Sequence, residues 1–123
     1  MSSRNGFTRY PYKTRKNQTL YISTRAAVSG ISWDNNKLDF SLSFPEGESG
    51  YAVIACIDAP DTVVLNGNII EKTSNLKKSD KEGWRYQRNW LEVKILSSKA
   101  TLEIRGAKYK YVTSVRKPAS SLQ

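Results

Sequence analysis

Segment 37–44, KLDFSLSF, constrains the fold more than any other part of this chain. Polar and apolar residues alternate along it, so that four apolar side chains would share one face: Leu38, Phe40, Leu42 and Phe44. Successive side chains of a β-strand point to opposite faces, so this alternation predicts a strand with one face in the core. Because helical periodicity is absent throughout the sequence, we predict an all-β fold.

Short apolar or alternating runs recur between turn residues, for example TLYIST at 19–24, YAVIACI at 51–57 and TVVL at 62–65. Asn66-Gly67 is a strong signal for a two-residue hairpin turn, and Asp34-Asn35-Asn36 indicates a turn rather than a calcium loop. About eight to ten short strands at such spacing are typical of an antiparallel two-sheet, immunoglobulin-like sandwich. Its predicted core comprises Leu38, Phe40, Leu42, Val53, Ile57, Leu91, Val93, Ile95, Leu102 and Ile104.

The length of 123 residues suits a single domain, which we place at residues 19–113. Residues 1–18 are predicted to form a basic N-terminal arm, and residues 114–123 a flexible tail. No apolar run is long enough for a membrane span, and the N-terminal residues lack the apolar core of a signal peptide. The lone Cys56 lies in an apolar run, so we expect a buried structural thiol.

The chain carries 20 Lys and Arg residues against 11 Asp and Glu, for a net charge of +9. Such a balance favours anionic partners in general: nucleic acid, acidic glycans or an acidic face of a neighbouring domain. Two basic segments interleave Tyr with Lys or Arg, which is the composition of a surface that stacks on bases and contacts phosphates. A plain solvated basic face would have the same composition. The candidate polyanion-binding residues are Arg9, Lys13, Arg15, Lys16, Lys108 and Lys110.

The sequence contains no histidine. This excludes His-based general acid–base chemistry, Ser–His and Cys–His nucleophiles, and the usual zinc sites. The carboxylates lie mainly in predicted turns or on polar strand faces, where solvated surface groups are the ordinary outcome. We therefore expect no catalytic residues, no metal site and no cofactor.

The segment 83–95, GWRYQRNWLEVKI, holds the strongest candidate ligand site. If the alternating residues from Leu91 to Ile95 face the core, then Trp90 faces outward, where a flat ring beside a cation matches the apolar face of a sugar. This assignment of faces depends on a two-residue turn at Arg88-Asn89, because a bulge there would reverse it. Packing in the core is the stronger expectation for two of the rings, Trp84 and Tyr86. The candidate ligand-binding residues are Trp90, Arg88, Trp84 and Tyr86.

Three motifs in the second half of the chain form a recognisable series. They are a hairpin of the form V-x-V-N-G, a pattern of the form W-x-Y-turn-N-x-L-x-V-x-V, and a final alternating strand. The matching residues are Val64, Leu65, Asn66, Gly67, Trp84, Tyr86, Leu91, Val93, Ile95, Leu102 and Ile104. The series resembles the closing half of accessory β-sandwich domains that follow the catalytic barrel of glycoside hydrolases, and segment 20–43 is similar to the opening hairpins of such domains.

The resemblance extends over about residues 19–106. It implies a domain without catalytic residues that braces a catalytic domain or binds glycan, and an extracellular location if the parent glycosidase is secreted. Two other functions stay open: a small basic protein that binds nucleic acid or another polyanion, and a structural subunit of a larger assembly. The salt dependence of binding distinguishes a glycan-binding module from a polyanion-binding protein. Polyanion binding weakens steeply with added salt, whereas stacking on a neutral sugar hardly changes.

Overall fold

The computed structural model describes residues 8–14 and 16–111 of the chain. This part of the chain contains strands and one turn of 3-10 helix, Leu76–Lys78. The strands are β1 (Thr8–Lys13), β2 (Thr19–Thr24), β3 (Ala27–Asp34), β4 (Lys37–Ser43), β5 (Gly50–Ala55), β6 (Thr62–Leu65), β7 (Asn68–Lys72), β8 (Gly83–Gln87), β9 (Trp90–Ile95) and β10 (Lys99–Arg105). The prediction of an all-β fold is confirmed.

The strands follow one another in the order β1-β2-β5-β9-β8-β7-β6-β10-β4-β3. We call β1, β2, β5, β9 and β8 the front layer, and β6, β10, β4 and β3 the back layer. Neighbouring strands pair antiparallel, except that β7 pairs parallel with β8 and so joins the two layers. The finer expectation of two separate immunoglobulin-like sheets is not specifically confirmed, because the hydrogen bonds of β7 make the ten strands one continuous sheet.

Side chains from both layers fill a single core. The alternation of segment 37–44 is reproduced, with its four apolar residues buried and its polar residues on the outer side. All residues of the predicted core are buried except Val53, which is half-buried. The reason is that β5 places only Ala52 and Ile54 in the core, whereas Val53 lies on the outer face of the front layer. Cys56 is buried, as predicted.

Three two-residue hairpin turns set the register of the sheet. Each has positive φ angles at both central residues, as a type I′ turn requires. These residues are Asn35 (φ 52°) and Asn36 (φ 62°), Asn66 (φ 51°) and Gly67 (φ 83°), and Arg88 (φ 55°) and Asn89 (φ 73°). The two-residue turns predicted at Asn66-Gly67 and at Arg88-Asn89 are therefore confirmed, and Gln87 pairs directly with Trp90.

Strand β1 corrects the expectation that residues 1–18 form an arm. It pairs with β2 along its whole length, from Thr8 opposite Thr24 to Lys13 opposite Thr19. The sheet accepts Pro11 here because β1 is an edge strand, where a missing N–H breaks no ladder. Tyr10 is half-buried and its hydroxyl donates a hydrogen bond to the Ala26 carbonyl, 3.1 Å away. The remainder of the predicted arm before Thr8, and the predicted tail at residues 114–123, lie outside the described residues.

Candidate ligand-binding surfaces

The rings of the β8–β9 hairpin divide between the two faces of the front layer. Trp84 pairs with Val93 and is only 5% exposed, so its ring belongs to the core. The ammonium group of Lys72 lies over this ring, 5.6 Å from its centre. Trp84 is thus a packing residue, as its position beside buried Val93 requires.

Tyr86 lies on the same inner face as Trp84, opposite Leu91. Its hydroxyl donates a 2.6 Å hydrogen bond to the carbonyl of Ile57, which ties β8 to the segment that follows β5. Burial raises the pKa of Tyr86, and the nearby carboxylate of Asp58 and thiol of Cys56 add to the rise. Trp84 and Tyr86 share the inner face because alternate side chains of a strand point to the same side. Trp90 points to the outer face, so the structure does not bring the three rings onto one surface.

Trp90 lies on the outer face of the front layer and is half-buried there. Its indole Nε1 donates a hydrogen bond to Oε2 of Glu92 at 3.0 Å, and the other oxygen of Glu92 accepts one from Nε of Arg85 at 2.7 Å. Side-chain exposure is 23% for Arg85 and 19% for Glu92, so this ion pair is partly shielded from water. This network holds the Trp90 ring in one orientation, and the opposite charges of Arg85 and Glu92 compensate each other.

The strand register places a second ring beside Trp90. Ala55 of β5 pairs with Trp90 on one side and with Tyr21 of β2 on the other. We call Tyr21, Ala55 and Trp90 the outer platform. Strands lie about 4.8 Å apart, so the backbones that carry the two rings are separated by about 10 Å, with only a methyl group between them. The guanidinium of Arg9 lies over the Tyr21 ring at 5.1 Å.

Sequence reasoning missed Tyr21 as a partner of Trp90. Its position between Leu20 and Ile22, both buried, is enough to predict that it faces outward. The pairing of β2 with β5, and of β5 with β9, joins segments far apart in sequence, and no local pattern indicates it.

Arg88 is exposed at the first position of its turn, two residues before Trp90 in sequence. The side chain of the next residue, Asn89, accepts a hydrogen bond from Nζ of Lys110 at 2.7 Å. This contact ties the segment that follows β10 to the tip of the β8–β9 hairpin. The ammonium group of Lys110 is therefore already hydrogen-bonded within the fold.

The other candidate polyanion-binding residues are spread over several elements. Arg9 and Lys13 are exposed on the outer side of β1, Lys16 is exposed in the β1–β2 connection, and Lys108 is exposed after β10. Arg15 lies outside the described residues. The structure therefore groups Arg9 with Tyr21 and Lys110 with Asn89, but shows no single cluster that holds the whole predicted set.

Several carboxylates are engaged in ion pairs. Glu48 lies 3.1 Å from the guanidinium of Arg25, and Glu92 is held by Arg85. A hydrogen bond from Arg105 holds the pKa of Glu103 below its usual range. In the described residues, no group of three or more His, Cys, Asp or Glu side chains could hold a metal ion. Over the same part of the chain, no helix is long and apolar enough to cross a membrane.

Two solved structures share this fold. An uncharacterised protein of Listeria monocytogenes EGD-e matches with a TM-score of 0.52 and 18% identity, over 85% of this chain and 10% of that chain. The cycloalternan-forming enzyme of Listeria monocytogenes, solved in complex with a pentasaccharide substrate, matches with a TM-score of 0.54 and 18% identity, over the same shares of the two chains. No protein-family model matches the sequence, and no curated protein matches it significantly.

These matches concern the fold alone, since the sequences are only 18% identical. The chain spans about a tenth of the length of either Listeria protein. It therefore has the fold of one segment of a much longer protein that, in one case, is an enzyme with an oligosaccharide substrate.

Proposed function

We propose that this chain is a non-catalytic, immunoglobulin-like accessory module of a carbohydrate-active enzyme, and that it holds glycan on the outer platform. The observation that carries the proposal is the register Tyr21–Ala55–Trp90, which sets two aromatic rings on one outward face with a small residue between them. The fold shared with a segment of an enzyme that takes a pentasaccharide substrate supports the same conclusion.

The chemistry of the outer platform suits a neutral sugar chain. The C–H groups of a pyranose form a flat apolar face, and an aromatic ring supplies a matching surface with a negative electrostatic potential. Glu92 and Arg85 form an ion pair, so these two hydrogen-bonding groups beside Trp90 add little net charge to the outer platform. The fixed Trp90 ring loses little conformational freedom on binding, which lowers the cost of association.

A catalytic role has little support from the geometry. The chain has no histidine, and the carboxylate nearest to Trp90, Glu92, is already held by two donors. General acid–base chemistry on a glycoside uses a pair of carboxyl groups facing the bond to be broken. We propose instead that the module acts by binding, and that the catalytic domain of the same enzyme is its other partner.

The decisive experiment is a glycan array with the full chain and two variants, Trp90→Ala and Ile69→Ala. Ile69 is the matched control, because its large apolar side chain is 69% exposed but lies on β7, outside the outer platform. We expect Trp90→Ala to lose binding to neutral glycans at least tenfold while Ile69→Ala binds as the parent does. Equal binding by Trp90→Ala and the parent would refute the outer platform as the glycan site.

A second candidate function is the binding of an acidic polymer such as nucleic acid. The net charge of +9 and the position of Arg9 over the Tyr21 ring favour it, because stacking and cationic groups then share one surface. Affinity should be measured for single-stranded DNA and for a neutral oligosaccharide at 50 and 200 mM salt, the range over which polyanion binding changes strongly, by about 10³ or more for several contacts. A steep loss with DNA as the tighter ligand would favour this second function.

A further inference from the structure

A cleft of about 420 Å³ opens between the ends of the two edge strands, β1 and β3. Small-ligand clefts occupy roughly 300–1,000 Å³, so this one is large enough for a ligand of a single ring. We call it the edge cleft. Its lining includes Gln18, Trp33, Asp34, Asn35, Asn36 and Tyr109.

The aromatic wall of the edge cleft is held firmly. Nε1 of Trp33 donates a 2.9 Å hydrogen bond to the carbonyl of Ala107, which fixes the edge of the indole and leaves its face for packing. The rings of Tyr12 and Tyr109 lie near it at tilted angles, with centres 6.4 and 6.2 Å from the centre of the indole ring. An isolated antiparallel β-bridge to Ile57 positions the backbone of Tyr109.

Hydrogen bonds also hold the polar side of the edge cleft in place. The hydroxyl of Thr14 accepts hydrogen bonds from the backbone N–H groups of Lys16 and Gln18, which shapes the β1–β2 connection. On the facing side, the carbonyl of Asn36 accepts one from the N–H of Ala107 at 2.7 Å, which secures the β3–β4 turn. Both edges of the cleft are thus preorganised, and preorganisation lowers the cost of binding.

The formal charges of the lining cancel. Lys16 and Asp34 both line the cleft and carry opposite charges. The other polar side chains are neutral amides and hydroxyls, which donate and accept hydrogen bonds equally well. A neutral ligand with a flat apolar face and a rim of hydroxyl groups fits this combination of walls.

We infer that the edge cleft is a second, separate binding site that takes one neutral hexose residue. The sugar ring packs on Trp33 and Tyr109, and the amides of Gln18 and Asn35 hydrogen-bond its hydroxyl groups. This site shares no residue with the outer platform. It therefore stands whether or not Trp90 binds glycan, and the two can be tested independently.

The test follows the three indole N–H signals of the ¹⁵N-labelled full chain, from Trp33, Trp84 and Trp90, by NMR. The probes are maltotriose, isomaltotriose and cellotriose, titrated to about 10 mM, tenfold above a Kd of about 1 mM. We expect at least one trisaccharide to shift the Trp33 signal in a saturable way and to leave that of Trp84 unchanged. The absence of a Trp33 shift with all three sugars would overturn the inference.

Two matched turn variants test whether the shift of the Trp33 signal comes from binding in the edge cleft. Asn35→Gly removes one lining amide at a position of positive φ, which glycine adopts freely, so the turn is retained. Arg88→Gly makes the same kind of change in the turn beside Trp90. We expect Asn35→Gly to weaken binding at Trp33 about fivefold, the value of one net hydrogen bond, and Arg88→Gly to leave it unchanged. Equal weakening by both variants would contradict the assignment.

A nucleoside could stack on the same rings, and it serves as the competing ligand. Uridine, titrated in the same way, should shift the Trp33 signal only at higher concentration than the best trisaccharide. Tighter binding of uridine would overturn the assignment to a hexose. Trp33→Phe, with its fold verified by the melting temperature, should bind the best trisaccharide more weakly than the parent, because a smaller ring offers less stacking area. Unchanged binding would place the site elsewhere.

Discussion

Trp84 and Trp90 belong to one hairpin and are separated by only six positions in sequence, yet they have opposite roles. Trp84 is 5% exposed and packs against Lys72 and the core, whereas Trp90 is outward and held by Glu92. Their even separation would place them on one face of a continuous strand. The two-residue turn at Arg88-Asn89 reverses the chain and changes the parity, so the turn, rather than composition, decides which ring is available to a ligand.

The largest expected effect concerns the inner ring. Trp84→Ala should lower the free energy of unfolding by about 3–5 kcal/mol, because removing a buried ring forfeits its transfer energy and leaves a cavity. Urea denaturation monitored by circular dichroism measures this loss. A loss no larger than that caused by Trp90→Ala would remove the distinction between the two rings.

The next effect tests the type I′ geometry that the β6–β7 turn shares with the turn at Arg88-Asn89. In the β6–β7 hairpin, which carries no aromatic ring, Gly67 has a φ of 83°. Gly67→Val should lower the free energy of unfolding by about 1–3 kcal/mol, since a β-branched residue is strained there although the side chain has open space. Gly67→Asn, which tolerates positive φ, is the control and should cost less. An unchanged melting temperature for Gly67→Val would mean that the turn is of another kind.

The third effect separates the inner Tyr86 from an ordinary surface tyrosine. Tyr86→Phe removes the hydrogen bond to Ile57 and should cost about 1 kcal/mol near neutral pH. The parent has a second signature, because the pKa of Tyr86 is raised above its ordinary value of about 10. Between these two pKa values the folded chain keeps a proton that the unfolded chain has lost, so the parent's stability declines as pH rises through this window.

Tyr86→Phe should remove the part of that decline that Tyr86 causes, while the part due to the raised pKa of Tyr109 remains. The difference in stability between parent and variant should therefore shrink above pH of about 10. Urea titrations at several pH values between neutral and strongly alkaline would measure it. Tyr51→Phe is a suitable control, because Tyr51 lies on the outer face of the same layer. A difference that stays constant across the titration would contradict the raised pKa.

The smallest expected effect on stability concerns Trp90. Trp90→Ala should cost below about 1 kcal/mol, because the ring is only half-buried and its loss leaves no enclosed cavity. Binding of glycan should nevertheless fall, so stability and binding respond oppositely for the two tryptophans. Unfolding of the Trp90→Ala variant would show that its ring belongs to the core.

Much of the fold could be predicted from local sequence patterns. These patterns predicted the alternation of segment 37–44, the type I′ turns and the outward direction of Trp90, because each feature depends on residues close together in the chain. The arm assigned to residues 1–18 was an incomplete interpretation. Tyr10 and Tyr12 alternate like strand residues, but their charged neighbours and Pro11 concealed an edge strand.

The residues that meet in the candidate sites could not be predicted from local sequence patterns. Asp34-Asn35-Asn36 was identified as a turn, but nothing in its composition indicates that Trp33 beside it meets Tyr12 and Tyr109. The edge cleft exists because β1 and β3, remote in the hydrogen-bonded order, end close together in space.

By itself the sequence determined the strands with clear alternation, the inward faces of those strands and the direction of each ring in the β8–β9 hairpin. Steric limits on φ and the two-residue period of a strand act over a few residues, so a short stretch of sequence is enough to encode them. Only the tertiary structure decided that Tyr21 lies in register with Trp90, and that Trp33 lines a cleft. Both depend on which strands pair and which edges meet, and that choice comes from burying the apolar faces of the whole chain in one core.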